Sequence, residues 1–408
     1  LATTAGYNLN NYNIIIVAFS SFPLSWWGMA EVGGKRQWLN GVFDFSITAH
    51  ETGHNLGAKH ANFWDTNGQS INGIGVNQEY GNDFDIMGYS DEYLGGSKRH
   101  MSAALKNQLN YLLDSDIYSV IISGDYQIVA HDMQDISTMK AGIKVAIEGL
   151  SYSSKKYFVD FRQLFSFSDY ISNGVSLYFQ EGSLVQLLDT TPGSYYAKSD
   201  SALSIGRTFS DPLNNIYITP KKIESTIPKS ITVNVNLGPF PGNTAPTLTL
   251  SADALTVGSG QYIHFTATAN DINGDELAYY WTFGDSTTSS DNSSTQSKSF
   301  IMDGKYSVIC EVSDMKGGLT SKQIIVTSGS TSNYTISGKV TDNYNSQPIK
   351  MALVKVTPAY NNSSTTNFTY TDDNGDYTLT NLSAGSKTIS VFKDNFTFTG
   401  NDAPVLAS

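Results

Sequence analysis

Residues 50 to 60 read HETGHNLGAKH and place three of the chain's six histidines and one glutamate within eleven residues. Side chains four apart share one face of a helix, so His50 and His54 can offer two imidazole nitrogens to one ion, with Glu51 projecting beside them. A catalytic zinc ion takes three protein ligands and keeps one position for water. His60 is the candidate third ligand, and Gly57 is what lets it arrive. A helix continued to position 60 would carry that side chain about 9 Å along the axis from His54, too far to share one ion. Glycine adopts the left-handed conformation that ends a helix at little steric cost, so the chain can turn sharply there and return His60 to the metal. The opposing reading is an amphipathic helix with polar histidines on its wet face. The five fixed positions of HExxHxxGxxH favour the metal.

Such ligands need a scaffold, and 408 residues suggest two to four domains rather than a single core. The first stretch, residues 1–116, holds the histidine cluster and four of the five tryptophans. The segment HMSAALKNQLNYLL reads as a helix with Leu105, Leu109 and Leu112 on one stripe, and it is expected to close this domain. From Ile117 to Phe240 short alternating runs separated by Gly, Asp, Asn and Ser turns predict a β-sandwich. A Pro/Gly/Asn-rich joint introduces a third β unit, residues 244–328, and a Ser/Thr/Gly linker a fourth, residues 333–408. The predicted architecture is thus an α+β domain carrying the chemistry, followed by three all-β sandwich domains.

The HExxHxxGxxH string resembles the signature of the metzincin zinc endopeptidases. That clan also carries a methionine turn beneath the metal, and FDIMGYS fits it, with Met87 placed 27 residues after His60. The resemblance implies that Met87 floors the zinc site and that Tyr89 hydrogen-bonds the developing oxyanion; simple packing is the alternative for each. Residue 61 is Ala, where the astacin-like, adamalysin-like, matrixin-like and serralysin-like groups usually have Glu, Asp, Ser and Pro. The segments WWGMAEVGGKRQWLNG and KYFVDFRQ to ALSIGRTFSDP are similar to the gametolysin-like branch, so the resemblance spans roughly residues 10 to 240. Only 49 residues precede His50, fewer than such domains usually have, and the N-terminal part of the domain is expected to be short.

A zinc ion held by three neutral histidines lowers the pKa of its water to about 7. Glu51 is then the general base, able to return the proton to the leaving amine. The strand in WWGMAEVGG is the candidate edge for an extended peptide substrate, with the backbone groups of Met29, Ala30 and Glu31 expected to hold it. The alternative is that Trp26 and Trp27 only pack the sheet.

The run WTFGD, with Trp281, Phe283, Gly284 and Asp285, resembles a PKD domain, an immunoglobulin-like sandwich. Asp271, Asn273 and Asp275 crowd oxygen ligands into five residues; Ca²⁺ binding and a solvated turn are the two readings. The last unit, on SGKVTD and TDDNGDYTLTNLSAG, resembles a CnaB or carboxypeptidase-regulatory-like domain, and DDNGDY reads as a hairpin turn. These appendages imply a secreted or cell-surface protein. A net charge of -12 with 25 Lys+Arg gives no clustered positive charge for nucleic acid, and no apolar run is long enough to span a bilayer. Two functions follow: a zinc endopeptidase acting on protein or peptide substrates outside the cell, or an impaired protease that binds matrix or cell-surface polymers through its β modules.

Overall fold

The computed structural model describes residues 4–89, 100–133, 139–147, 154–164, 169–194, 197–225, 227–329, 334–357, 368–382, 385–393 and 403–407, together with Phe396 and Phe398. Strands β1 (Ile15–Phe19), β2 (Gly28–Ala30) and β3 (Arg36–Asn40) form a small sheet in the order β1-β3-β2, with β1 parallel and β2 antiparallel to β3. Helix α1 (Phe45–Asn55) lies against β2 and β3. Asp44 caps it, its Oδ1 accepting the Ile47 amide at 2.9 Å and so satisfying one of the open donors of the first turn. The helix stops where expected: Gly57 takes φ +106° and its amide donates to the His54 carbonyl at 2.8 Å. Strands β4 (Ala61–Asp65) and β5 (Val76–Gln78) follow as an antiparallel pair. Helix α2 (Ala103–Gln108) is shorter than its leucine stripe predicts. Asn110 takes φ +60°, and the amides of Tyr111 and Leu112 turn back to the Lys106 carbonyl, so Leu112 reaches the core from a turn.

Next come β6 (Ile117–Val120), β7 (Gly124–Val129), β8 (Gly142–Ala146), β9 (Lys155–Asp160), β10 (Gly174–Glu181), β11 (Leu184–Leu187), β12 (Leu203–Ser204), β13 (Phe209–Asp211), β14 (Ile216–Glu224) and β15 (Ser230–Leu237). One sheet runs β5-β4-β11-β10-β9-β8-β6, with β12 added to β10, and faces a second sheet, β13-β14-β15-β7, across a core of Ile, Val, Leu and Phe side chains. The break expected between residues 116 and 117 is not a break in the sheet. Strand β4, which begins one residue after His60, pairs parallel with β11 in the register Ala61 to Val185. The large sheet is buried on both faces, so β9 sends Tyr157 and Val159 into the sandwich core and Phe158 into a second core shared with α2 and Met87. Alternate strand residues point to opposite faces, and here both faces are apolar.

Residues after the Pro/Gly joint form a sandwich of a three-stranded sheet (Thr247–Ala252, Tyr262–Asn270, Thr295–Ser299) and a four-stranded one containing Ala278–Thr282 and the long pair Gly304–Ser313 and Leu319–Ser328. Trp281 and Cys310 are fully buried at its centre. Gly284 holds φ +75° where a Cβ would meet the Ser307 carbonyl oxygen at 2.7 Å, which is why the turn after Phe283 needs glycine. The last unit is again two β-sheets around a small aliphatic core, and Asp372 Oδ1 accepts the amides of Asn374 and Asp376 in the expected hairpin turn. Strands far outnumber helices in the described structure, which forms several sandwich-like β units. Among the described residues no helix is long and apolar enough to cross a membrane.

Candidate metal centre

His50, His54 and His60 converge: one ring nitrogen from each lies within 4.8 Å of the others. Each ring is aimed by a bond at its other nitrogen. His50 Nδ1 lies 2.9 Å from the Ile86 carbonyl oxygen, His54 Nδ1 2.8 Å from that of Ala58, and His60 Nδ1 2.6 Å from Glu79 Oε1. The three acceptors hold a proton on Nδ1 and leave Nε2 as the free donor, and His54 and His60 bring those atoms to 3.1 Å from one another. Burial lowers the pKa of His50 to about 4, against the opposing Ile86 hydrogen bond, and lowers that of His54 as well. Both imidazoles are therefore neutral at pH 7, the state that ligation requires.

Glu51 is buried, and its Oε2 makes no hydrogen bond among the described residues. A carboxylate oxygen left in that condition is costly unless something outside the protein's own groups meets it. Burial also raises its pKa to about 7. Three imidazoles converging beside a buried carboxyl group fit a catalytic zinc ion in donor type and number.

The turn that carries Met87 packs under the helix. Met87 is fully buried, and a Cβ on Gly53 would come within 2.3 Å of its Sδ, so the glycine four residues before Gly57 is what allows the turn to approach. The Met87 amide donates to Asp85 Oδ1 at 2.9 Å, and the Met87 carbonyl accepts from Ala61 at 2.9 Å. Tyr89 is more than half exposed, and its amide donates to the Tyr80 carbonyl at 2.8 Å.

The aromatic ring on the histidines belongs to Tyr80, whose centroid is 3.6 Å from that of His60 and 5.8 Å from that of His50. Tyr80 adopts φ +62°, uncommon for a bulky residue, and such outliers gather at functional sites. Neither Glu79 nor Tyr80 was singled out from the sequence. The only signal is a carboxylate and an aromatic ring just before a glycine in NQEYGND, at no motif spacing.

Strand β2 carries the residues expected to meet a substrate, and its pairing decides which backbone groups face outward. Strand β2 ends the sheet order, so among the described residues one of its sides pairs with no strand. The amide of Asn40 donates to the Trp27 carbonyl and the amide of Glu31 to the Arg36 carbonyl. Bonded and non-bonded pairs alternate in an antiparallel ladder, so Met29, opposite Trp38, turns its backbone groups inward to β3, while those of Gly28 and Ala30 face the open side. The Glu31 backbone is also in use, its carbonyl accepting from Gly34 and from Asn55 Nδ2. Gly28 and Ala30 thus replace Met29 and Glu31 as the main-chain partners this edge can offer. Gly28 sits against the site itself: a Cβ there would fall 2.3 Å from Glu51 Oε1.

Of the residues considered for Ca²⁺, Asn273 Oδ1 accepts the Thr244 amide, and Asp271 Oδ1 accepts the amides of Asn273 and Asp275. The carboxylates of Asp271 and Asp275 lie within 4.8 Å of Asp314 instead, and Lys316 Nζ pairs with Asp275. The ammonium already offsets part of this charge.

Residues 243–328 match the PKD domain family, and residues 335–404 match the carboxypeptidase regulatory-like domain family. No curated protein matches the chain. Among solved structures, the chain is similar to the PKD1 domain of Vibrio anguillarum Epp, at 23% identity over 22% of this chain and 99% of that one, with a TM-score of 0.19. It is similar to the PKD1 domain of the Vibrio cholerae metalloprotease PrtV at 26% identity over 21% and 99%, with a TM-score of 0.19. A third similar structure is the PKD domain of an M14-like peptidase from a Thermoplasmatales archaeon, at 20% identity over 22% and 96%, with a TM-score of 0.19. The two C-terminal units of this chain are therefore a PKD domain and a carboxypeptidase regulatory-like domain.

Proposed function

We propose that this chain is a zinc-dependent endopeptidase of the metzincin type, acting on proteins or peptides outside the cell. The observation that carries the reading is the convergence of three Nδ1-anchored histidines beside Glu51, a buried carboxylate with an oxygen that no group of the described protein meets. His50, His54 and His60 would hold the zinc, which when bound supplies a Lewis acid and a water acidic near neutral pH.

The chain's own residues do the rest. Glu51 receives a proton from the water that attacks the peptide carbonyl and returns it to the leaving nitrogen, so one carboxyl group serves as base and then as acid. A pKa raised to about 7 by burial suits both directions of transfer near neutral pH. An extended peptide adds to the open side of β2 through the backbone groups of Gly28 and Ala30, which brings its scissile bond toward Glu51. Tyr89, from the methionine turn, is the phenol that the metzincin resemblance assigns to the developing oxyanion.

The test is cleavage of an unstructured protein such as casein by the purified, zinc-loaded chain, beside its Glu51→Gln form with zinc content measured in both. The expected result is cleavage by the parent and loss of at least about 10²-fold in the variant at equal zinc content. Equal cleavage by both would remove Glu51 from the mechanism. Full zinc in both with cleavage by neither would favour the second reading, a binding protein that works through its β modules.

A further inference from the structure

We propose that Arg162, a residue of the β-sandwich, is a positioning residue for the metal ligands, acting through the methionine turn. The proposal rests on the metal-centre reading above. Arg162 follows β9 and is 1% exposed, a costly place for a guanidinium unless its donors are met. Its Nη1 donates to the Phe84 carbonyl at 2.6 Å, and its Nη2 lies 3.4 Å from Tyr178 Oη and 4.0 Å from Asp85 Oδ2. Its Nε is 3.9 Å from Asp160 Oδ1.

Asp85 passes the constraint on. One of its oxygens accepts the Met87 amide at 2.9 Å, and the other accepts the Ser102 amide at 2.7 Å at the start of α2. Asp160 Oδ2 accepts the next amide, Ala103, at 2.9 Å and pairs with His131 Nε2 at 3.1 Å. The carbonyl of residue 84, the side chain of residue 85 and the amide of residue 87 are thus fixed, and the residue between them, Ile86, turns its carbonyl to His50 Nδ1. On the far side the Met87 carbonyl holds the amide of Ala61, the neighbour of His60, and Met87 Sδ fills the space left by Gly53 on the zinc helix.

Every ligand-bearing segment therefore touches the one turn that Arg162 clamps. Arginine suits the place because its planar fork binds the Phe84 carbonyl while lying beside Tyr178, Asp85 and Asp160, whereas a lysine ammonium is a single point. The sandwich becomes part of the metal centre rather than an appendage behind it.

The experiment compares the full chain with Arg162→Lys and Asp85→Asn. It uses competition with a chromophoric chelator for Zn²⁺ affinity, the visible spectrum of the Co²⁺ form, and thermal melting of the metal-free chains. Outer-sphere groups that orient a ligand typically govern 10–100-fold in affinity, so a fall of about that size and shifted Co²⁺ bands are expected in a variant that still melts cooperatively. Parental affinity and parental bands in either folded variant would overturn the proposal, whatever the change in melting, because a merely structural role moves only the melt. Failure of both variants to fold would assign the network to the core and overturn it equally. His50→Ala separates the underlying reading: if it binds Zn²⁺ as tightly as the parent, the metal centre itself is misassigned and the role of Arg162 falls with it.

Discussion

Glu79 Oε1 lies 2.6 Å from His60 Nδ1, joining two residues 19 apart in the chain and giving the candidate third ligand a carboxylate that fixes its tautomer. His60 needs this support most, because it sits on a loop after the helix rather than on the helix itself. Glu79→Ala is expected to weaken Zn²⁺ binding by about 10–100-fold. Its side chain is 64% exposed, so the melting of the metal-free chain should barely move, by about 0.5 kcal/mol or less. Chelator competition and thermal melting on one preparation check both. An unchanged affinity would show that the contact does nothing for the ligand.

Gly57 tests whether the turn that returns His60 is conformational. No atom blocks a Cβ there, the nearest being Leu109 Cδ2 at 3.7 Å, but φ is +106°. Gly57→Ala should therefore cost stability through the backbone alone, about 1–2 kcal/mol, and weaken metal binding by re-aiming His60. Denaturant melts with and without Zn²⁺ separate the two effects.

Asp200 predicts a pH dependence remote from the metal. Burial and the nearby Asp189 raise its pKa to about 7. An unfolded aspartate titrates near about 3.9, so between these values the folded chain keeps a proton that the unfolded chain has released. Stability from this group is complete below about pH 4 and is lost as pH rises to about 7. Asp200→Asn should flatten that decline, which melting temperatures at pH 5 and pH 7.5 will show. Parallel declines in parent and variant would contradict it.

The sheet that crosses residue 116 predicts how the chain can be divided. Ala61 of β4 pairs with Val185 of β11, and Ala103, Ala104 and Leu105 of α2 share a core with Phe158 and Tyr178. A fragment of residues 1–116 loses both partners and is expected to lack a cooperative melt and to bind Zn²⁺ poorly. A fragment of residues 1–240 keeps them and should melt cooperatively and bind Zn²⁺. Circular dichroism and zinc titration of the two fragments decide this.

Much of the site could be read from the sequence because its spacing is local. His50 and His54 are one helical turn apart, and Gly57 supplies the stop, so the convergence of three histidines follows from eleven residues. Glu79 and Tyr80 could not be read that way. They reach His60 only because β4 and β5 fold back on one another, a pairing with no fixed offset in the sequence. The choice of Gly28 and Ala30 over Met29 depends on the parity of the β2–β3 ladder, which shifts with a one-residue change of register. The pairing that crosses residue 116 leaves no local mark in the sequence, because β4 is short and its partner β11 lies more than a hundred residues away. The end of α2 is hidden in the sequence because Asn110 turns the chain while Leu109 and Leu112 keep the apolar spacing of a helix.

The most direct measurement of the central claim is X-ray absorption at the zinc edge of the zinc-loaded chain, beside the His60→Ala form. Three imidazole nitrogens at about 2.0–2.1 Å are expected in the parent and a reduced imidazole contribution in the variant. A shell without three imidazoles, or one that His60→Ala leaves unchanged, would contradict it.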